Sequence, residues 1–280
     1  MISRRHMLAG LAGMTMPVLA GCAGGQPERV SPAAVGNVRT EPVVTPAGGL
    51  DAVIDISHLS YVTDFNLMRR HSGILGVIHK ASEGGDWVDT TYAERRPQAE
   101  AAGLLWGAYH YGSRQYSGVD QANAFLAAAQ PGPKTLLALD FEPNDRHPSN
   151  TMTIRQAEEF VRTVYQATGK LPMVYTHPAW ANGGVYGTAR MSLGQGIGPD
   201  SILAQCDLWL VDYREAPEVP YAWSRKGWKL WQYAGNSTAD DAAYGSASHA
   251  LAGVDRCDRN LFKGDAAALY RFWNGRVVTS

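Results

Sequence analysis

Two carboxylates one residue apart close an apolar run, Thr135-Leu136-Leu137-Ala138-Leu139-Asp140-Phe141-Glu142-Pro143. In an extended chain successive side chains point to opposite faces, so Asp140 and Glu142 share one face while Leu139 and Phe141 occupy the other. Two acids crowded in a cleft push their pKa values apart, which leaves one protonated as a donor and the other ionised. Cleavage of a glycosidic bond uses a pair of acids in those two states. The competing reading of the same stretch is structural: a strand end whose acids cap a neighbouring helix or meet an arginine.

Holding two acids in register takes a scaffold, and from residue 51 onward short β-rich runs alternate with helical ones. Runs at 52–57, 74–80, 104–111, 134–142, 171–176, 208–213 and 228–233, with a weaker one near Val254, predict about eight strands. Helical spacing is clearest over 154–168, where Ala157, Phe160, Val161, Val164 and Tyr165 recur on one face and Gly169 supplies the stop. Residues 94–102 and 119–129 are helical on propensity, with Pro97 suited only to an opening turn. The stretches 179–199 and 234–253 read as long loops, so an outer ring of helices is expected to be incomplete. The pattern predicts one α/β barrel domain. In such a barrel the loops after the strand C-terminal ends build the active face. That nominates Asp55, His79, Lys80, Tyr109, His110, Asp140, Glu142, Tyr175, Tyr213 and Gln232.

The 280 residues are 45% hydrophobic, enough for one large core, and a formal charge of -1 with interspersed signs offers no attraction to nucleic acid or a charged membrane surface. The first 21 residues read as an address. Arg4, Arg5 and His6 are basic, residues 7–19 are apolar but too short to span a bilayer, and Leu19-Ala20-Gly21-Cys22 follows. This last segment resembles the lipobox of bacterial lipoprotein precursors, which implies signal-peptide removal after residue 21, lipidation of Cys22 and an exported, membrane-anchored protein. Plain cleavage near Ala20 or Ala23 is the alternative. Ser3-Arg4-Arg5 also looks like a twin-arginine export signal. Residues 22–50, with Pro27, Pro32, Pro42 and Pro46, read as a flexible tether reaching roughly 30 Å, and residues 51–280 as the barrel domain. Cys206 and Cys257 remain after export, and sequence leaves open whether they are bridged or free. Without C-x-x-C or H-E-x-x-H, and with scattered histidines, no metal or cofactor is expected.

Read in order, Ile54-Asp55-Ile56-Ser57, Val77-Ile78-His79-Lys80-Ala81-Ser82-Glu83-Gly84, Gly107-Ala108-Tyr109-His110-Tyr111, Leu139-Asp140-Phe141-Glu142, Val174-Tyr175-Thr176, Leu230-Trp231-Gln232-Tyr233 and Asp258-Arg259-Asn260-Leu261-Phe262 resemble glycoside hydrolase family 25, the bacterial and phage muramidases. The resemblance implies a flattened β/α barrel that cleaves the β-1,4 bond between N-acetylmuramic acid and N-acetylglucosamine. It implies Glu142 as proton donor, Asp140 as the neighbouring carboxylate, Asp55 as the acid ending the first strand and Asp258 as the acid ending the last. Asp255 competes for that last role, but Asp258 fits the family's D-x-N-x-F spacing. Tyr109 and Tyr175 match aromatic positions lining the pocket. Gln232 and Trp231 are expected to meet substrate, with Trp209, Tyr233 and Trp87 as further stacking candidates.

Glu142, crowded by Asp140, should carry a raised pKa, with Asp140 left ionised to assist. Spacing alone does not choose between retention and inversion; attack by the sugar's own 2-acetamido oxygen, with retention, is the route expected here. The loop after Asp55 departs from the family's aromatic-Gln-Gly segment, reading Ser57-His58-Leu59. The expected partners are peptidoglycan glycan strands and, through Cys22, a membrane, with the chain acting as a monomer. Two rivals stand beside this reading: a non-catalytic glycan-binding lipoprotein on the same barrel, and another barrel glycosidase such as a chitinase, although the positions before Asp140 are apolar where chitinases carry further acids.

Overall fold

Period-two alternation sorts side chains to the inside and outside of a closed sheet. The computed structural model describes residues 43–44, 48–237 and 251–274, all within one compact unit, Val38–Ser280. Cys22, the expected signal peptide and most of the expected tether lie outside the described residues. In chain order the elements are β1 (Val43–Val44), β2 (Leu50–Ile56), α1 (Phe65–His71), β3 (Gly76–Glu83), β4 (Trp87–Val88), α2 (Tyr92–Ala101), β5 (Leu105–Tyr111), α3 (Gly118–Ala129) and β6 (Leu136–Asp140). There follow α4 (Ile154–Thr168), β7 (Met173–Thr176), α5 (Pro178–Ala181), α6 (Ile202–Gln205), β8 (Leu208–Val211), β9 (Trp228–Ser237), β10 (Cys257–Phe262) and α7 (Ala266–Asn274).

Eight strands close the barrel in the order β2-β3-β5-β6-β7-β8-β9-β10, with β10 returning to β2. The pairings from β2 through β9 are parallel, whereas β10 runs antiparallel to both its neighbours. The two-residue β1 and β4 add antiparallel at the edges, β1 within the stretch read from sequence as tether. The fold is thus a distorted α/β barrel. The last strand lies at Cys257–Phe262 and not near Val254, which forms only an isolated bridge to Val62.

Two apolar layers follow from the alternation. Val53, Ile78, Leu136, Ala138, Met173, Trp209, Leu230 and Phe262 form one cluster with Leu269 and Trp273 of α7. This is the barrel interior, closed at the N-terminal end of the parallel strands by α7, whose Trp273 donates its indole N–H to the Trp106 carbonyl. Ile54, Val77, Leu137, Leu139 and Val174 face outward into a second cluster with Phe125, Phe160, Val161 and Val164 from α3 and α4.

The helical spacing at 154–168 forms α4 over those residues. A capping box between Thr153 and Gln156 starts it, and Gly169, in the left-handed region at φ 69°, ends it. Pro97 lies beyond the opening turn of α2, contrary to expectation. Ala93 and Pro97 are both exposed, so water can take the place of the backbone hydrogen bond that proline removes. Cys206 and Cys257 are both buried, and no disulfide joins them to each other. Among the described residues no helix is long and apolar enough to cross a membrane.

Candidate active site

On six of the parallel strands the residue facing the barrel interior is followed two positions on by a polar one. Val53 is followed by Asp55, Ile78 by Lys80, Gly107 by Tyr109, Ala138 by Asp140, Met173 by Tyr175 and Leu230 by Gln232. The parallel strands bring these to one end of the barrel. There they line a cleft of about 600 Å³ together with Glu142, Trp209 and Asp258. Because β10 is antiparallel, Asp258 reaches this end from the beginning of its strand, directly opposite Asp55 in register. The sequence reading had an acid ending that strand; the reversed direction places it at the same rim. Asp255 is exposed and does not line the cleft.

Gln232 is the hub of one wall. Its Nε2 donates to Asp55 Oδ1 and Oδ2 at 3.2 and 3.0 Å and reaches Asp258 Oδ2 at 3.5 Å. Its Oε1 accepts the hydroxyls of Tyr175 at 2.9 Å and Tyr213 at 3.1 Å, which fixes the amide's orientation. Asn260 Nδ2 donates to Asp55 Oδ2 at 2.7 Å while Asn260 Oδ1 accepts Trp209 Nε1 at 2.6 Å. Asp55 is held well above the ordinary carboxylate range, first by burial and then by the charge of Asp258, with Asn260 and Gln232 pulling the other way. Burial also raises the phenols of Tyr109 and Tyr175, which remain neutral hydrogen-bonding groups.

Asp140 and Glu142 form the opposite pair. Glu142 follows the end of β6, where the Phe141 N–H donates to the Tyr175 carbonyl and Phe141 packs into the outer cluster beside Trp180. The Glu142 carboxyl is pushed up to about 7 by burial and by the charges of Asp145 and Asp258, with Lys80 opposing. Asp140 is also raised, by burial first and the charge of Glu142 second. The expectation of a freely ionised Asp140 is therefore corrected: both carboxyls are raised, Asp140 by burial and by the Glu142 charge. Lys80 is fixed beside them by Glu83 at 2.6 Å and by the rings of Trp87 and Tyr111 at 4.9 and 5.0 Å.

Trp231 is corrected. It is buried at 3% exposure in the outer cluster, donates its Nε1–H to the Asp212 carbonyl at 2.6 Å and does not line the cleft. Gln232 faces the cleft, so its neighbour must face away. His79 and His110 are turned outward for the same reason, His79 onto the Lys80 carbonyl and His110 between Ser82 and Gln121. Tyr233 likewise bonds buried Asp51.

Sequence reasoning assigned no role to Asn260, Tyr186 or Arg256. Asn260 stood inside a quoted motif, two residues from Asp258 on the same face, and parity alone would have found it. Tyr186 and Arg256 come from loops that carry no period. Tyr186 stacks on His177 at 3.8 Å, and Arg256 takes a positive φ of 113° at the rim. In the loop after β2, His58 lines the cleft with its Nδ1 3.0 Å from Asp89 Oδ2. Among the described residues no group of three or more His, Cys, Asp or Glu side chains is arranged to hold a metal ion.

The chain resembles known proteins in sequence and in fold. Residues 54–242 match the model of the glycosyl hydrolases family 25. The chain is 28% identical over 236 residues to lysozyme M1 of Streptomyces globisporus, spanning 79% of this chain and 70% of that protein. It is similar to the crystal structure of the bacterial lysozyme from Streptomyces coelicolor, with 25% identity, a TM-score of 0.64, and coverage of 80% of this chain and 97% of that one. A family GH25 lysozyme from Aspergillus fumigatus aligns with 25% identity and a TM-score of 0.60, over 80% and 99% of the two chains.

Proposed function

The chain belongs to glycosyl hydrolase family 25, and from that premise we propose how the carboxylates of its cleft divide the work of a muramidase. The protein is a glycoside hydrolase that cuts peptidoglycan. In our reading Glu142 donates its proton to the glycosidic oxygen as the bond to the leaving sugar breaks. The carbonyl oxygen of the sugar's 2-acetamido group attacks the anomeric carbon from the opposite face. Asp140, ionised once Glu142 holds the proton, steadies the positive charge that develops on that group. Water then opens the cyclic intermediate, giving its proton to the Glu142 carboxylate, and the configuration is retained.

Asp258 acts at a distance: its charge helps keep the Glu142 proton in place. Asp55, gripped by Gln232 and Asn260, fixes the wall that Tyr175 and Trp209 complete. The observation that carries the assignment is a carboxyl held near neutrality at the mouth of the barrel, two residues beyond a second raised acid. Digestion of purified peptidoglycan tests it. Mass spectrometry should find N-acetylmuramic acid at the new reducing ends, proton NMR should show the β anomer first, and Glu142→Gln should lower kcat by about 100- to 10,000-fold. N-acetylglucosamine at the reducing ends, an initial α anomer, or a Glu142→Gln protein of near-normal activity would contradict it.

We also propose export and anchoring through Cys22. Leu19-Ala20-Gly21-Cys22 after a short apolar run supports this, and a proline-rich segment of some 28 residues would let a membrane-held barrel reach the wall.

A further inference from the structure

A second groove, of about 490 Å³, lies beside the cleft. The cleft is lined by six carboxylates; the groove is lined by Arg114 and Arg155 and by no acid at all. The two are one hydrogen bond apart. Asn144 of the cleft wall donates its backbone N–H to Thr151 Oγ1 at 2.9 Å, and Thr151 lines the groove. On the other side Tyr186 of the cleft forms a backbone bridge with Met191 of the groove.

The groove's chemistry asks for an anionic chain with backbone carbonyls. Arg114 places its Nε on the Thr151 carbonyl at 3.0 Å, which orients an exposed guanidinium. Arg155, also exposed, is shared with Glu159. Trp180 forms part of the lining at 1% exposure, and its Nε1–H has no acceptor. A buried N–H left without a partner is costly, and a ligand carbonyl would relieve it. The first turn of α4 borders the groove and adds the positive end of its dipole, although its Gln156 N–H is already capped by Thr153. Met152, Met191 and Leu193 supply apolar surface between these polar points.

We propose that this groove holds the acidic peptide stem that branches from the muramic sugar of the strand being cut, with Arg114 and Arg155 pairing its carboxylates and Trp180 Nε1 donating to a peptide carbonyl. The inference rests on the muramidase reading above. Its logic is connectivity and charge: the sugars of the strand are neutral, the stem carries the carboxylates, and the stem leaves the strand at a sugar held next door.

The test uses two substrates, glycan strands bearing their peptide stems and the same strands stripped by an amidase. The wild type should release reducing ends from the stem-bearing strands about 5- to 10-fold faster, by the affinity that two charge-assisted contacts provide. The double variant Arg114→Ala/Arg155→Ala should bring that ratio close to one while cutting stripped strands at the wild-type rate. Trp180→Phe, which keeps an aromatic side chain there but removes the N–H donor, should lower the ratio part of the way. Equal wild-type rates on the two substrates, or a ratio untouched by any of these changes, would overturn the groove assignment while leaving the muramidase reading intact. Failure of the wild type on both substrates would instead remove the reading on which the groove rests.

Discussion

Glu142 holds its proton at a cost to the fold. Its ordinary value is 4.5 and its value in the cleft is about 7, so the folded protein binds this proton more tightly than the unfolded chain. A carboxyl raised in this way leaves stability untouched below its unfolded value and subtracts from it as pH rises towards the folded one. Glu142→Gln is therefore expected to be more stable than the wild type at pH 8, by on the order of 2 kcal/mol, and nearly equal to it at pH 4. Urea denaturation at the two pH values reads this directly; equal midpoints at pH 8 would mean the carboxyl is not held raised. At this scale the sequence was informative wherever strand parity applied. Asp140 and Glu142 followed from a spacing of two, and the same rule, applied to Gln232, would have turned Trp231 away from the cleft. Tyr186 and Arg256 were out of reach because their loops have no repeat from which to infer a face.

The element that sequence misplaced is β10. Cys257-Asp258-Arg259-Asn260 is polar and does not resemble a buried strand, yet Arg259 and Asn260 are fully buried. Each finds its partner on a neighbouring strand. Arg259 Nη2 donates to Asp51 Oδ2 of β2 at 2.5 Å, Tyr233 of β9 donates to the same oxygen, and Asn260 meets Asp55. Alternation sends Asp258 and Asn260 into the barrel and Arg259 out, so the buried ion pair secures the register that sets Asp258 opposite Asp55. Asp51→Ala alone removes the carboxylate paired with the buried Arg259 guanidinium and should cost about 3 to 5 kcal/mol. The double variant Asp51→Leu/Arg259→Met should cost clearly less. A denaturation cycle giving additive losses would show that the pair does not act as a unit. The other seven barrel strands and α4 were legible because their interiors are apolar on one face and their ends carry recognisable stops, as Gly169 does.

For the whole molecule, the eight-stranded closure was readable from the count of β-rich runs, whereas the antiparallel return of β10 was not, since direction leaves no mark on composition. The anchoring proposal belongs at this scale. Cys22→Ala should move the protein from the membrane to the soluble fraction of the producing cell without changing its rate on peptidoglycan; retention in the membrane fraction would refute lipidation at that residue. The barrel brings acids from β2, β6 and β10 to one end, and the account turns on the proton they keep on Glu142. The most direct test is the pH dependence of kcat/KM on soluble peptidoglycan fragments, which reports the free enzyme's essential acid. The account predicts a fall in kcat/KM on the alkaline side centred near pH 7, the value at which Glu142 loses its proton. A kcat/KM that stays level up to pH 9 would contradict it.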